Sequence, residues 1–339
     1  MDRGPMRRRL DLVFVPMVER ETGRRIEVPY PDPRRYDWRE VNGKRYLYDR
    51  LDDAVMEEAF FLETVKRLSS LPTYDQQPKI KDATAYVEGR RETIRCKLLG
   101  QKSDATFQSP SEEFLRALPA DTHAFVILSL DLVGSTTRAT ASPLTEYART
   151  MQAVLGEVGD VLPLFHGHVL KHTGDGVIAY FASPGFITKH DLAIDCALTL
   201  RLLIYSGFNP VLRELGWKEL DMRIGLDSGE IAVIPIGSAT TKQEKDLIGE
   251  VVSLACKIQG RAPTGGIALG DEMLRNLHTQ WREICEELPL ASEWRFKDPH
   301  FGRPYAVHLV KANDWPDHDE NASDAMQPNP RADTTRERQ

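Results

Sequence analysis

Residues 124–136 read AFVILSLDLVGST, an apolar run that ends in a carboxylate and a Gly-Ser-Thr turn. The apolar and β-branched residues predict a buried strand over 124–132. A carboxylate at the end of a buried strand is costly unless it is paired or binds a cation. Asp131 is therefore a candidate metal ligand, and the backbone amides of the turn are candidates for holding phosphate. An Asp that only caps the turn or the next helix is the alternative.

The flanking segments predict an α/β (α+β) domain of ferredoxin-like order. We predict a helix near 143–162, strands at 167–172 and 177–183, a helix near 189–206, and a second hairpin with strands at 220–226 and 230–236. The second hairpin is predicted to turn at Asp227-Ser228-Gly229. A helix over about 247–259, a strand at 265–269, a short helix at 271–278 and a strand at 304–310 follow. The order β-α-β-β-α-β is the ferredoxin-like pattern, with extra elements appended.

The chain divides into three parts by its composition. Residues 1–118 form an N-terminal extension of unknown role, with a hairpin turn at Asn42-Gly43 and a helix over 51–70. Residues 119–311 hold the α/β domain. Residues 312–339 are rich in Asp, Asn, Pro and Arg, and this composition predicts a disordered tail.

Composition indicates a globular protein of the cytosol. The 339 residues are 41% hydrophobic and 28% charged, with a net charge of −7, which disfavours a general nucleic-acid binder. No apolar run is long enough to span a bilayer, so we expect no membrane partner. The four cysteines are far apart and form no CxxC pair. This spacing disfavours a disulfide framework or a thiolate zinc site and favours a reducing, cytoplasmic location.

Two further segments carry candidate chemistry. Gly174-Asp175-Gly176 is a hairpin tip that holds a carboxylate near the predicted strand end at Asp131. Two such carboxylates are typical of sites that hold two divalent ions for phosphoryl chemistry, although a lone Asp-Gly turn is common. Ser253 and Lys257 are four residues apart on a predicted helix, so they share one face. A solvated polar stripe is the alternative for that pair.

Together these segments resemble the class III nucleotidyl cyclase catalytic domain. The motifs are DLVGST (131–136), KHTGDG (171–176), RIGLDSG (223–229), DLIGEVVSLACK (246–257) and PTGGI (263–267), and the resemblance covers about 124–310. It implies a ferredoxin-like cyclase fold, a nucleoside triphosphate substrate, and a homodimer with composite sites at the subunit interface.

The resemblance implies roles for residues around the two carboxylates. Asp131 and Asp175 match the metal-binding aspartates, joined by the carbonyl of Leu132, and two divalent ions, Mn²⁺ or Mg²⁺, are the implied cofactors. The triphosphate-binding turn is matched by Gly134, Ser135 and Thr136. Lys297 or Arg303 matches a late basic residue that binds the triphosphate.

The partner subunit is implied to supply the other half of the site. Lys171 and Asp246 match the base-recognising pair of adenylate cyclases. Ser253 stands where the family has a ribose-orienting Asn, and Lys257 stands where it has a transition-state-stabilising Arg. These two departures argue against a standard adenylate cyclase.

The altered site is similar to the pyrimidine cyclases of the Pycsar anti-phage systems. That likeness implies conversion of UTP, or CTP, to a cyclic nucleotide that a separate effector senses in antiviral defence, with uridylate cyclase favoured. Two alternatives stay open. Lys171 as donor and Asp246 as acceptor also suit adenine, which predicts an adenylate cyclase making cAMP. The departures at Ser253 and Lys257 also suit a catalytically weak nucleotide-binding sensor.

Overall fold

A computed structural model describes residues 9–18, 25–69, 78–101, 110–182, 188–237 and 244–311. The chain folds into two compact units, one containing residues 10–71 and the other residues 72–312. None of the helices in these described ranges has the length and hydrophobicity of a membrane-spanning segment. The predicted tail over 312–339 lies outside the described residues.

The smaller unit consists of strands and one helix. Its elements are β1 (Leu12–Val18), β2 (Arg25–Pro31), β3 (Tyr36–Val41), β4 (Lys44–Asp49), β5 (Ala54–Glu57) and α1 (Glu58–Ser69). The hairpin predicted at Asn42-Gly43 is confirmed, and both residues have the positive φ angles, 53° and 73°, that this tight turn requires. The helix predicted from residue 51 begins only at Glu58, because the residues just before it form β5, which pairs with β4.

The larger unit contains the predicted α/β domain. Its helices are α2 (Ala83–Leu98), α3 (Pro110–Ala117), α4 (Ser135–Ala141), α5 (Leu144–Val161), α6 (Thr188–Leu202), α7 (Asn209–Glu214), α8 (Glu250–Gln259), α9 (Asp271–Arg275) and α10 (Thr279–Arg282). Its strands are β6 (Thr122–Leu132), β7 (Gly167–His172), β8 (Val177–Phe181), β9 (Met222–Ile236), β10 (Glu244–Ile248), β11 (Ile267–Gly270), β12 (Cys285–Glu287) and β13 (Val307–Val310).

The central sheet confirms the ferredoxin-like order. Its strands run β12-β13-β11-β9-β6-β8-β7, and β10 pairs separately with β9. Within it, β9-β6-β8-β7 are the four strands of the β-α-β-β-α-β pattern. β6 lies between antiparallel neighbours on both sides, and its residues 125–130 are buried. The apolar run predicted to be a buried strand is therefore an interior strand of the sheet.

The hairpin predicted at Asp227-Ser228-Gly229 is wrong, because β9 runs through this segment without a turn. The Asp227 carboxylate is buried and accepts a hydrogen bond of 2.8 Å from the Tyr305 hydroxyl. A side chain at Gly229 would lie 2.7 Å from Cγ2 of Val251, so this glycine serves packing rather than a turn. β9 instead pairs with β10, and the helix predicted from residue 247 therefore begins at Glu250.

Part of the predicted N-terminal extension packs on the central sheet. Helix α3 contacts both β7 and β10. The Ser111 hydroxyl accepts a bond of 3.1 Å from the Val169 amide, and the Ser111 carbonyl accepts one of 3.2 Å from Tyr180. At its other end, Lys245 donates to the Arg116 carbonyl at 2.7 Å. Helix α3 therefore ties together two strands that carry predicted substrate-binding residues.

Candidate active site

Asp131 and Asp175 lie side by side at one end of β6. Asp131 is the penultimate residue of β6, and Asp175 lies in the turn between β7 and β8. Because β8 pairs with β6 from Leu130 onward, that turn returns to the end of β6. Burial raises the pKa of Asp131, and the neighbouring charge and hydrogen bond of Asp175 raise it further. The two predicted metal ligands are therefore adjacent carboxylates in a half-buried setting.

Two glycines bring these carboxylates together. Gly174 has a φ of 91°, a conformation that other residues rarely adopt, and the Thr173 amide closes the turn on the Gly176 carbonyl at 2.9 Å. A Cβ atom on Gly176 would lie 2.5 Å from the Leu130 carbonyl oxygen and 3.2 Å from Oδ1 of Asp131. Only glycine at position 176 therefore lets the turn approach β6 this closely.

Arg223 completes the cluster, and the sequence analysis did not single it out. It lies directly opposite Asp131 in the β6–β9 register, and its charge opposes the rise in the Asp131 pKa. Its Nε has no hydrogen-bond partner among the described residues. One feature of the sequence pointed to Arg223: it is a basic residue between Met222 and Ile224, which are buried in a strand. Charged residues in such surroundings usually have a specific partner.

The predicted phosphate-binding turn follows β6 directly. Gly134 has a φ of 72°, and its carbonyl accepts the Arg138 amide at 2.9 Å, which begins α4 at Ser135. Thr136 is exposed on the same helix. A cleft of about 190 Å³ lies beside the turn. The cleft is lined by Leu132, Val133, Gly134, Ser135, Arg138, Met151, Lys218, Glu219, Leu220 and Asp221.

Lys171 and Asp246 lie on separate strands of the same chain. Lys171 follows a register irregularity in β7 and is exposed. Asp246 pairs with Ile234 across β10 and β9, and its Oδ1 accepts the Leu247 amide at 2.8 Å. In the described part of the chain, neither side chain is hydrogen-bonded to the Asp131–Asp175 pair.

Ser253 and Lys257 are both exposed on α8, one turn apart, as predicted from their spacing. The opposite face of α8 is buried through Leu254, Ala255 and Ile258. That face is pressed against β9, since a Cβ on Gly225 would overlap the backbone of α8 at Ala255 and Gln259. Among the described residues, Lys257 has no ion-pair partner.

Lys297 and Arg303 differ in their surroundings. Arg303 is exposed and donates to Oδ2 of Asp271 at 3.0 Å, and Asp271 itself lies in a buried cluster with Arg275. Lys297 is exposed and forms an isolated backbone bridge with Pro304. Of the two predicted triphosphate ligands, Lys297 is the one whose charge is not committed to a carboxylate of the described residues.

The carboxylate pair fits divalent cations that take oxygen ligands. The described residues contain no group of three or more His, Cys, Asp and Glu side chains that could hold a metal ion. A site at Asp131 and Asp175 therefore needs backbone and substrate oxygens to complete it, which is how Mg²⁺ and similar ions bind nucleotides in proteins. A cation there would also relieve the repulsion that raises the Asp131 pKa.

Residues 120–289, half of the chain, match the family described as the adenylate and guanylate cyclase catalytic domain. The chain belongs to this family. The matched residues include the Asp131–Asp175 pair, the Gly134 turn and α8. The cyclase domain thus coincides with the ferredoxin-like part of the larger unit.

Curated relatives of this cyclase domain share about a quarter of its residues. The chain is 27% identical over 167 residues to a cytidylate cyclase of Escherichia coli, covering 46% of this chain and 36% of that protein. It is 26% identical over 159 residues to a cytidylate cyclase of Staphylococcus aureus, covering 44% and 36%. A putative adenylate cyclase 3 of Rhizobium meliloti is 24% identical, covering 45% and 23%. The chain thus spans about a third or less of these relatives.

Solved cyclase structures also align with the domain. The crystal structure of the guanylyl cyclase Cya2 aligns with a TM-score of 0.49 and 22% identity, covering 57% of this chain and 94% of that chain. The adenylyl cyclase CyaB from P. aeruginosa aligns with a TM-score of 0.49 and 19% identity, covering 57% and 96%.

Proposed function

We propose that this chain is a nucleotidyl cyclase that converts a pyrimidine nucleoside triphosphate, UTP or CTP, into its 3′,5′-cyclic nucleotide and pyrophosphate. The observation that carries the proposal is the Asp131–Asp175 pair beside the Gly134 turn. This arrangement offers two carboxylates for divalent ions and backbone amides for phosphate within one short stretch of surface.

In the proposed reaction the ribose 3′-oxygen attacks the α-phosphorus and pyrophosphate leaves in line. Asp131, Asp175 and the carbonyl of Leu132 would hold two divalent ions, Mn²⁺ or Mg²⁺. When bound, such ions supply positive charge to the 3′-oxygen and the phosphates. The amides of Gly134, Ser135 and Thr136 would bind the phosphate chain, and Arg223 would add positive charge beside Asp131.

A second copy of the chain would complete the site. Ser253 and Lys257 are exposed on α8, and Lys171 is exposed on β7. None of them is bonded to the Asp131–Asp175 pair in the part of the chain that the structure describes. In a homodimer, Lys257 would place its charge near the α-phosphate of the partner's site, and Ser253 would orient the ribose. Lys297 would bind the triphosphate.

The base is recognised, in this proposal, by Lys171 as donor and Asp246 as acceptor. Cytosine presents a matching amino group and ring nitrogen, and uracil can pair with the same two side chains through a carbonyl and N3–H. The names of two curated relatives favour cytosine, whereas the uridylate preference rests on the Pycsar resemblance alone. That resemblance also supports a role as second-messenger source in antiviral defence, with a separate effector.

An adenylate cyclase is the second candidate. Adenine offers the same donor and acceptor edge to Lys171 and Asp246, and one relative is named a putative adenylate cyclase. The presence of Ser253 and Lys257 where the family has Asn and Arg argues against a standard adenylate cyclase, because Lys lacks the planar fork with which Arg binds phosphate.

The test is a four-way competition. The purified chain is incubated with equal ATP, GTP, CTP and UTP and Mn²⁺, and the cyclic products are resolved by mass spectrometry. We expect cCMP or cUMP to dominate, and Asp131→Asn to abolish it. Asp121→Asn, an exposed carboxylate just before the other end of β6, is the matched control and should retain activity. Dominant cAMP would favour the second candidate, and folded protein without any cyclic product would contradict both.

A further inference from the structure

A buried arginine beside the Gly134 turn has an unused hydrogen-bonding edge. Arg138, on α4, is only 4% exposed, and its Nη1 donates to the Glu219 carbonyl at 3.0 Å. Its Nε and Nη2 have no hydrogen-bond partner among the described residues. Burial lowers the pKa of this guanidinium, against the opposing influence of Glu146 and Tyr147. A buried guanidinium with unmade bonds is destabilising unless something else binds it.

Nε and Nη2, the two nitrogens without a partner, lie on the edge of the guanidinium that binds oxyanions. Nε and Nη2 of an arginine point the same way and form a fork that matches two oxygens of a carboxylate or phosphate. Arg90 uses this edge on Glu157 at 2.8 and 2.7 Å. Arg213 uses it on Glu219, with both bonds at 3.0 Å. In Arg138 the same edge binds no carboxylate of the described residues.

Arg138 lines the cleft of about 190 Å³ beside the turn. This volume is many times what one water molecule needs, so a phosphate group fits. The two carboxylates of the cleft wall are engaged elsewhere: Glu219 with Arg213, and Asp221 with the Tyr205 hydroxyl at 3.0 Å. Lys218 adds a second positive charge at the exposed rim. Arg213 neutralises Glu219, so the unpaired charges of the cleft wall among the described residues are two cations, Arg138 and Lys218, and one carboxylate, Asp221.

We propose that this cleft binds a phosphate-type oxyanion on the Nε–Nη2 edge of Arg138. The oxyanion has two possible sources: the terminal phosphate of a nucleotide lying over the Gly134 turn, or free phosphate or pyrophosphate. Both nitrogens are buried, so this binding mode requires the Arg138 side chain to rotate toward the cleft. The first source rests on the proposed function, in which the Gly134 turn binds the phosphate chain, whereas binding of the free anion can be tested even if that function fails.

The first test measures anion binding without divalent ions. The full chain is titrated calorimetrically with sodium phosphate and with pyrophosphate, in EDTA at constant ionic strength. We expect Arg138→Met to weaken binding at least about tenfold, the loss typical of a charged hydrogen-bonded pair. Arg116→Met, the same charge change at an exposed position on α3, should leave the affinity unchanged. Arg138→Lys, which keeps the charge but not the fork, should fall between them.

Thermal melting separates a ligand site from a purely structural arginine. Without phosphate, Arg138→Met should melt at or above the wild-type temperature, because it removes a buried charge that has no ion-pair partner among the described residues. Equal phosphate affinity in wild type and Arg138→Met, or no binding in either, would overturn the proposal.

A second phosphate titration identifies the source of the oxyanion. It is carried out in the presence of CTP and UTP analogues that both lack the 3′-hydroxyl. Competition would assign the site to the nucleotide's terminal phosphate, and unchanged binding would assign it to the free anion.

Discussion

Replacing Gly176 by Ala places a methyl group at the closest contact between the Asp175 turn and β6. The new Cβ would lie 2.5 Å from the Leu130 carbonyl oxygen, whereas real Cβ atoms essentially never come within 3.0 Å. The obstacle is a backbone oxygen of the central strand and cannot swing aside. The turn must therefore move by about half an ångström, at a cost of about 3 kcal/mol, the upper end for overpacking. A displacement approaching 1 Å at reacting groups can lower a rate by about 100-fold.

Gly174→Ala is the matched control for this prediction. Gly174 has a positive φ, which Gly176 does not, yet a Cβ on Gly174 meets no atom within 4 Å, so only the backbone strain of about 1 kcal/mol remains. Urea denaturation followed by circular dichroism gives the two stabilities, and mass spectrometry gives the cyclic-nucleotide yield. We expect Gly176→Ala to be the less stable and nearly inactive variant. Equal stability and activity in the two variants would refute the assigned geometry of the carboxylate pair.

Three further predictions concern the same domain. Asp131→Asn should raise the thermal midpoint in metal-free buffer while reducing product at least about 100-fold, because it removes a carboxylate repelled by Asp175 but needed for divalent ions; a lowered midpoint would contradict the repulsion. Burial lowers the pKa of His168 to about 4, so the unfolded chain binds the proton first and stability should fall by about 3 kcal/mol between pH 6.5 and 4. In urea titrations, His168→Phe should remove this loss of unfolding free energy between pH 6.5 and 4. If the loss were the same in His168→Phe as in the wild type, His168 would not be its cause. Asp131→Ala and Lys257→Ala, each inactive alone, should partly restore product when mixed, and absence of rescue in a demonstrated heterodimer would exclude a shared site.

The pattern of apolar residues predicted the central strands well, and it failed where a polar residue had a tertiary partner. β6, β7 and β8 lie where the alternation and the glycine turns place them. Asp227-Ser228-Gly229 has the composition of a turn, yet it continues β9 because Tyr305, far along the chain, satisfies the Asp227 carboxylate at 2.8 Å. Local sequence carries no information about that partner.

Some residues of the candidate site are likewise predictable from the sequence, and others are not. The closeness of Asp131 and Asp175 is predictable, because Asp131 ends an apolar run and Asp175 lies in the Gly-Asp-Gly turn of the neighbouring hairpin. Arg223 and Arg138 were not singled out, since their importance depends on what faces them. Arg223 matters because register places it opposite Asp131, and Arg138 matters because its outer nitrogens are buried without a described partner.

Local sequence patterns are enough to predict the ferredoxin-like order of elements, the closeness of Asp131 and Asp175, and the glycine turn that carries Asp175. These depend on periodicity and on the conformational limits of single residues, which short stretches of chain express locally. The continuity of β9 and the contacts of α3 with both β7 and β10 appear only in the folded chain. The same is true of the bond between Arg303 and Asp271, which Lys297 does not share. Each of these depends on burial and on a partner distant in sequence, because the free energy of a polar group is set by what surrounds it after folding.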